Sequence, residues 1–301
     1  MQIKKSKKPF YSKDGNGRYW YINTYESLGS DWLIHSLEKL GLPDKFVFAN
    51  FSANAGFYER DAYQNLKDKY NPKFFIGDIL ASRITQRPVG NFDNFIFIDG
   101  DNDISEIDIS SLSIPKADVI LDCKGALWHT LTGIKCKKKQ LENLLANYNK
   151  MLKNEQAILL IDFYKYPAFI YFNISFVWDL FKINKKRRVI KHFGERSTRH
   201  FLEVFFGKNF IKMHVQSLDV EKDVEGKPLA KYMNTAFITY ADIVELEKYV
   251  SQMSKFQFKW KRIWIILGEL VTGVLIAFLD MLFLILIVII IYLLQGVIRC
   301  Y

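Results

Sequence analysis

Polar and apolar positions alternate along this chain in short blocks, and the blocks predict a regular succession of helices and strands. In "NTYESLGSDWLIHSLEKLGLPD" the apolar residues recur at helical spacing, with Ser30 or Asp31 as caps and Gly41 and Pro43 as the stop. "KFVFAN" is a short, bounded apolar run and predicts the first strand. "FSANAGFYERDAYQNLKDKY" begins with small residues and turns helical, as a loop feeding a helix does. "KFFIGDIL", ending at Asp78, predicts a second strand, "NFIFIDGDND" a third that closes in a burst of carboxylates, and "ADVILDCKG" a fourth. The leucines of "KKKQLENLLANYNKML" predict a helix leading into a fifth strand, "EQAILLIDFY". Further on, "ISFVWDLFKI" and "DIVELEKYVSQM" read as helices, and "RHFLEVFF" and "NTAFITYAD" as strands. Short apolar strands alternating with helices predict an α/β fold, a mostly parallel sheet with helices on both faces.

The pattern changes near the C-terminus. From Ile263 the chain reads "IWIILGELVTGVLIAFLDMLFLILIVIIIYLLQGVI", and Met281 to Ile298 carries no charge, about the length that crosses a hydrocarbon core. A transmembrane segment is expected over 263–298, either one helix or a hairpin of two turning near Asp280. Lys255, Lys259, Lys261 and Arg262 precede it, with Trp260 and Trp264 as interfacial anchors. Positive charge on that side puts the main domain in the cytoplasm, C-terminally anchored to the membrane. The expected organisation is a basic N-terminal arm over 1–28, an α/β domain over 29–250, a basic juxtamembrane linker over 251–262 and the membrane segment.

Charge and cysteine content narrow the partners. Lysine and arginine number 42 against 32 aspartates and glutamates, which favours an acidic partner. The excess is scattered over the arm, the juxtamembrane run and Lys185 to Arg188 with no interleaved aromatic platform, so nucleic acid is the least favoured. A lipid bilayer is the partner the apolar tail implies, and a carboxylate such as Asp280 within it would suit homo-oligomer contacts. Cys123, Cys136 and Cys300 are odd in number and widely spaced, which argues against a disulfide framework or a zinc site.

Candidate chemistry gathers where the strands end. In an open parallel sheet, ligands bind beyond the carboxyl ends of the strands. The first strand runs into "NFSANAG", whose small residues allow a ligand close to the backbone; the others end at Asp78, at Asp99 and Asp101, at Asp122 and at Asp162. A carboxylate such as Asp78 accepts two hydrogen bonds from a ligand diol, and carboxylates with aromatic faces favour a cationic ligand. Cys123 beside Lys124 has the makings of a nucleophile, but a small residue closing a buried strand more often packs. "DGDND" at Asp99 to Asp103 lacks the length and later glutamate of an EF-hand loop, so no metal is assigned.

This order of elements resembles the class I S-adenosylmethionine-dependent methyltransferases, with their Rossmann-like seven-stranded sheet, over roughly residues 30 to 245. "DVILDCKGALWH" is similar to the strand and turn that border substrate in that family. The resemblance implies S-adenosylmethionine as cofactor and assigns its methionine part to Asn50, Phe51, Ser52, Ala53 and Gly56. It implies the ribose at Asp78, the adenine at Asp99 or Asp101, and Asp122 as a further contact. Trp128 and His129 then lie nearest an unknown methyl acceptor, small or membrane-associated, with His129 as base if the acceptor must lose a proton. "RHFLEVFF" and "NTAFITYAD" stand where the family has its final antiparallel pair. The departures are that Asn50 replaces the acidic residue of the family's acidic-x-Gly-x-Gly signature and that Gly56 alone survives among its glycines. An Ala in that loop at a position needing positive φ would be strained. The contrasting expectation is a catalytically inactive member acting as a sensor or scaffold.

Overall fold

The computed structural model describes residues 11–13, 19–21, 32–53, 56–79, 94–98, 103–123, 125–132, 136–164, 197–218 and 233–265, with positions 267, 268, 271, 278, 282, 285, 286 and 289 beyond them. Within the N-terminal arm, β1 (Tyr11–Lys13) and β2 (Tyr19–Tyr21) pair antiparallel, Ser12 opposite Trp20. The first helix, α1, covers 32–39 and stops at Gly41, whose φ of +61° suits glycine. Then follow β3 (Val47–Asn50), α2 (Phe57–Tyr70), β4 (Lys73–Ile76), β5 (Phe95–Phe97), β6 (Val119–Asp122), α3 (Ala126–Thr132), α4 (Lys138–Met151) and β7 (Ile158–Tyr164). After α5 (Thr198–Phe206) and α6 (Lys208–His214) come β8 (Gln216–Leu218), β9 (Met233–Thr239) and α7 (Tyr240–Gln252).

Seven strands form one sheet in the order β5-β4-β3-β6-β7-β9-β8. The five strands from β5 to β7 are parallel; β9 lies antiparallel between β7 and β8. Strand period two divides the core in two. Phe48, Phe74, Ile76, Val119, Leu121 and Leu160 point to the face covered by α1 and α2, where Trp32, Leu33, Leu37, Ala62 and Leu66 are buried. Ala49, Phe75, Ile120, Leu159 and Ile161 point to the other face, against Leu141, Leu144 and Tyr148 of α4, Phe201 and Phe205 of α5 and Leu246 of α7. Burial on both faces is why these strands read as unbroken apolar runs. The expected mostly parallel sheet with helices on both faces is therefore present.

Two expectations are corrected. "RHFLEVFF" is helical: Ser197 caps α5 by accepting from the His200 amide at 3.3 Å, and Phe201, Leu202, Phe205 and Phe206 form one buried side. A short run this apolar fits either period, and the cap decides. The antiparallel partner of β9 is instead β8, where Gln216 and Ser217 gave no strand signal. "ISFVWDLFKI" and the basic Lys185 to Arg188 cluster lie outside the described residues.

The transmembrane expectation is the second correction. Among the described residues no helix is long and apolar enough to cross a membrane. Where the apolar stretch begins, it packs on the domain. Residues 255–265 form α8, with Phe258 and Ile265 buried in the same cluster as Phe205 and Leu246. Phe258 meets Phe205 edge-on at 5.5 Å between ring centroids. Arg262, only 5% exposed, donates Nη1 to the Cys136 carbonyl at 3.1 Å, and Lys261 donates Nζ to the Phe205 carbonyl at 2.7 Å. Within the expected segment Ile265 faces the core, whereas the described positions Leu267, Val271, Phe278, Leu282 and Ile289 are exposed. Glu269 and Asp280 lie outside the described residues.

Candidate functional site

The carboxyl ends of β3, β4 and β6 lie side by side, and hydrogen bonds tie the loops that leave them. The Gly77 amide donates to the Asn50 carbonyl at 2.7 Å and the Ala53 amide to the Gly77 carbonyl at 3.1 Å, so the turn after β3 and the turn carrying Asp78 are joined. Asn50 shapes its own loop, its Oδ1 accepting from the Ser52 amide at 2.8 Å. Gly56 caps α2 with φ +69°, and its amide reaches the Ala53 carbonyl at 2.9 Å. A Cβ there would lie 3.2 Å from Ile76 Cγ2. Only glycine suits both demands. Ala53 has no positive φ, so the strain expected of an alanine in this loop does not arise there, and residues 54 and 55 lie outside the described set.

The loop after β6 leans on the loop after β3. Gly125 sits so close that a Cβ would be 2.6 Å from Asp122 Oδ1 and 2.8 Å from Ser52 Oγ. Asp122 is committed to the protein: its carboxylate accepts from the amides of Gly125 at 2.9 Å and Leu127 at 2.8 Å and from the Tyr148 hydroxyl. It thereby fixes the turn into α3. Burial pushes its carboxyl up to about 6, against the pull of the Tyr148 and amide donors. Burial, followed by the neighbouring Asp122 charge, also pushes the Tyr148 hydroxyl well above the ordinary tyrosine range. On α3, Trp128 is half-buried and meets Phe201 edge-on at 5.9 Å, while His129 is exposed at the rim.

The residues expected to form the site therefore separate by role. Ser52, half-buried, and Asp78, 2% exposed, lie at the joined loops with Asn50 and Gly56. Phe51 and Ala53 are buried in the two core clusters, Phe51 on the α4 face and Ala53 on the α2 face. Asp99 and Asp101 lie outside the described residues. Asp103 serves its own turn, accepting from the Ser105 amide and hydroxyl at 3.0 and 2.7 Å. Cys123 is buried among apolar residues of the α2 face. Among the described residues no group of histidine, cysteine and carboxylate side chains is placed to hold a metal.

One residue of the site gave no functional signal in sequence. Glu59, in the first turn of α2, is fully buried and accepts from Asn50 Nδ2 at 2.8 Å. Its other oxygen, Oε2, has no hydrogen-bond partner among the described residues. Burial, helped by the charges of Asp61 and Asp78, pushes its carboxyl up to about 7, against its own backbone bond and Asn50. Glu59 is on one helical stripe with Ala62, Tyr63 and Leu66, all buried. A glutamate interrupting a buried stripe was the available clue.

An acidic group next to the first strand is thus kept, although Asn50 occupies the strand end. The left-handed Gly56 packs against Ile76 and Phe97, and Gly125 against Asp122 and Ser52, so the loops at the strand ends are closely fitted to one another above the buried Glu59.

No protein-family model matches the sequence, and no curated protein matches it. Solved structures do resemble it in fold. A SAM-dependent methyltransferase from Aquifex aeolicus aligns with a TM-score of 0.41 and 13% identity over 73% of this chain and 93% of its own. Precorrin-6y C5,15-methyltransferase from Geobacter metallireducens aligns with a TM-score of 0.32 and 16% identity over 67% and 82%. A SAM-dependent methyltransferase from Geobacter sulfurreducens in complex with S-adenosyl-L-homocysteine aligns with 0.34 and 16% over 64% and 65%. With five parallel strands and an antiparallel β9 inserted before the edge strand β8, the chain has a seven-stranded Rossmann-like sheet.

Proposed function

We propose that this chain binds S-adenosylmethionine and transfers its methyl group to a small or membrane-associated acceptor, the domain working at the cytoplasmic face of a membrane. The observation that carries the proposal is the junction of the β3, β4 and β6 loops, where the Ala53 amide bonds to Gly77, next to Asp78, and Gly125 lies against Ser52.

When bound there, the cofactor supplies an electrophilic methyl on a sulfonium. Asn50 to Gly56 would hold its methionine part and Asp78 its ribose hydroxyls, a carboxylate being the natural acceptor for a diol. Asp122 does not need to touch the ligand: by fixing the turn it holds α3, and with it Trp128 and His129, at the rim. Trp128 is braced by Phe201 and offers an aromatic wall. His129, exposed and seven residues beyond Asp122, takes the acceptor's proton where it has one to lose. Alignment supplies most of the acceleration in such a transfer, so rigid loops matter more here than acid–base strength.

A second reading, an inactive member serving as sensor or scaffold, draws support from Asn50 and Asp122, whose side chains are already engaged by Ser52, Glu59, Gly125, Leu127 and Tyr148. Calorimetric titration of S-adenosylmethionine and S-adenosylhomocysteine into the full chain separates the two. Binding that weakens at least about tenfold in Asp78→Ala, the loss of one charge-assisted bond, supports the transferase. Absence of binding to the folded chain removes that reading and leaves the scaffold.

A further inference from the structure

Helix α8 shows two opposite faces. Phe258, Arg262 and Ile265 are buried against the domain, whereas Phe256 is 69%, Trp260 46% and Trp264 64% exposed. The three aromatic residues recur every four positions and form one stripe. Leu267 and Val271, three and seven positions beyond Trp264, are helical and 42% and 65% exposed on the same side. Exposed large apolar groups this regular mark an interaction surface rather than scattered surface residues.

Charge says what the surface meets. At 100° per residue, Lys255 and Lys259 fall between the aromatic stripe and the buried one, on the side from which Arg262 reaches Cys136. Both are exposed. Next to Cys136 the chain continues Lys137, Lys138, Lys139, and Lys138 donates Nζ to the Ser251 carbonyl at 3.0 Å. Two contacts, Arg262 to Cys136 and Lys138 to Ser251, therefore bring this lysine run alongside α8. Lys137 and Lys139 are exposed.

We propose that the Phe256, Trp260 and Trp264 stripe, with Lys137, Lys139, Lys255 and Lys259 beside it, is a docking surface for an anionic lipid bilayer. Tryptophan rings settle at the level of lipid headgroups, and lysines beside them gain from the negative surface potential. Leu267 and Val271 have no π face to stack on a base, which separates this surface from a single-stranded nucleic acid platform. A two-fold contact between copies would set lysine against lysine. Docking is independent of cofactor binding, so either can fail with the other intact.

The test is co-sedimentation of the full chain with vesicles of phosphatidylcholine alone and of a roughly 2:1 mixture with phosphatidylserine. Binding should be at least about tenfold stronger to the anionic vesicles and should weaken as salt is raised. The quadruple variant Lys137→Glu, Lys139→Glu, Lys255→Glu, Lys259→Glu should lose that preference. Trp260→Ala with Trp264→Ala should lose binding to both vesicles while, as exposed positions, leaving the unfolding transition in place. Equal binding to both vesicles untouched by these variants, no binding at all, or self-association through Trp264 without lipid would each overturn the proposal.

Discussion

Asn50 Nδ2 donates to Glu59 Oε1 at 2.8 Å across the first strand–helix loop, while Oε2 of the same carboxyl is buried without a partner among the described residues. The pair has a consequence for pH. Burial raises the Glu59 carboxyl from 4.5 to about 7. Between those values the native protein holds a proton that the unfolded chain has released. The stability contributed is fully present below the unfolded value and is lost as pH rises through about 7, a total of about 3 kcal/mol. Glu59→Gln cannot ionise. Its unfolding free energy should therefore improve relative to the parent by ~2 kcal/mol between about pH 5 and about pH 8, measured by urea titration. Identical profiles for the two proteins would show that Glu59 is not held neutral.

Contact between the loops after β3 and β6 is tested at one glycine. A methyl on Gly125 would meet Asp122 Oδ1 at 2.6 Å and Ser52 Oγ at 2.8 Å, so one loop must move. Gly125→Ala should cost ~1–3 kcal/mol, as overpacking does, and should weaken S-adenosylmethionine binding if the loops cradle it. Thermal unfolding and calorimetry measure the two effects. An unchanged melting temperature would mean that the loops do not touch as described.

Tyr148 and Asp122 form the clamp beneath that contact. Tyr148→Phe removes the donor that most strongly holds the Asp122 carboxyl down, so Asp122 should rise further above 6. A raised carboxyl loses its stabilising contribution as pH rises through its folded value. The variant should then be ~1.5–3 kcal/mol less stable at neutral pH and closer to the parent in acid, where Asp122 is neutral in both. Denaturant unfolding at the two pH values checks the difference. A deficit equal at both would assign Tyr148 a packing role alone.

The strand ends of this fold are legible because short unbroken apolar runs stop in polar residues at Asn50, Asp78 and Asp122, and topology then puts those ends together. What each polar group does there is not. Asp122 has the composition of a ligand contact, yet it spends its lone pairs on Gly125, Leu127 and Tyr148, and that depends on a tyrosine 26 positions away. Glu59 stands in the first turn of α2, where a glutamate ordinarily complements the helix dipole and so carries no signal of a site. Its burial follows from α2 facing β4, a tertiary relationship. At α5 and α8 the difficulty was periodicity: apolar runs fit helix and strand alike in one case, and core and bilayer alike in the other.

The attachment of α8 to the domain makes the last expectation. Phe258 and Ile265 are 5% and 3% exposed, whereas Trp260 and Trp264, only a few positions away, are turned outward. If α8 is part of the core, truncation should discriminate sharply between the two faces. Phe258→Ala should cost ~3–5 kcal/mol, removing the ring that meets Phe205, and Ile265→Ala ~2–5 kcal/mol. Trp260→Ala and Trp264→Ala should stay within about 0.5 kcal/mol of the parent. Denaturant unfolding of the full chain reads all four. Phe258→Ala with parental stability would detach the helix from the domain, and Phe258, Arg262 and Ile265 would then need another partner for their burial.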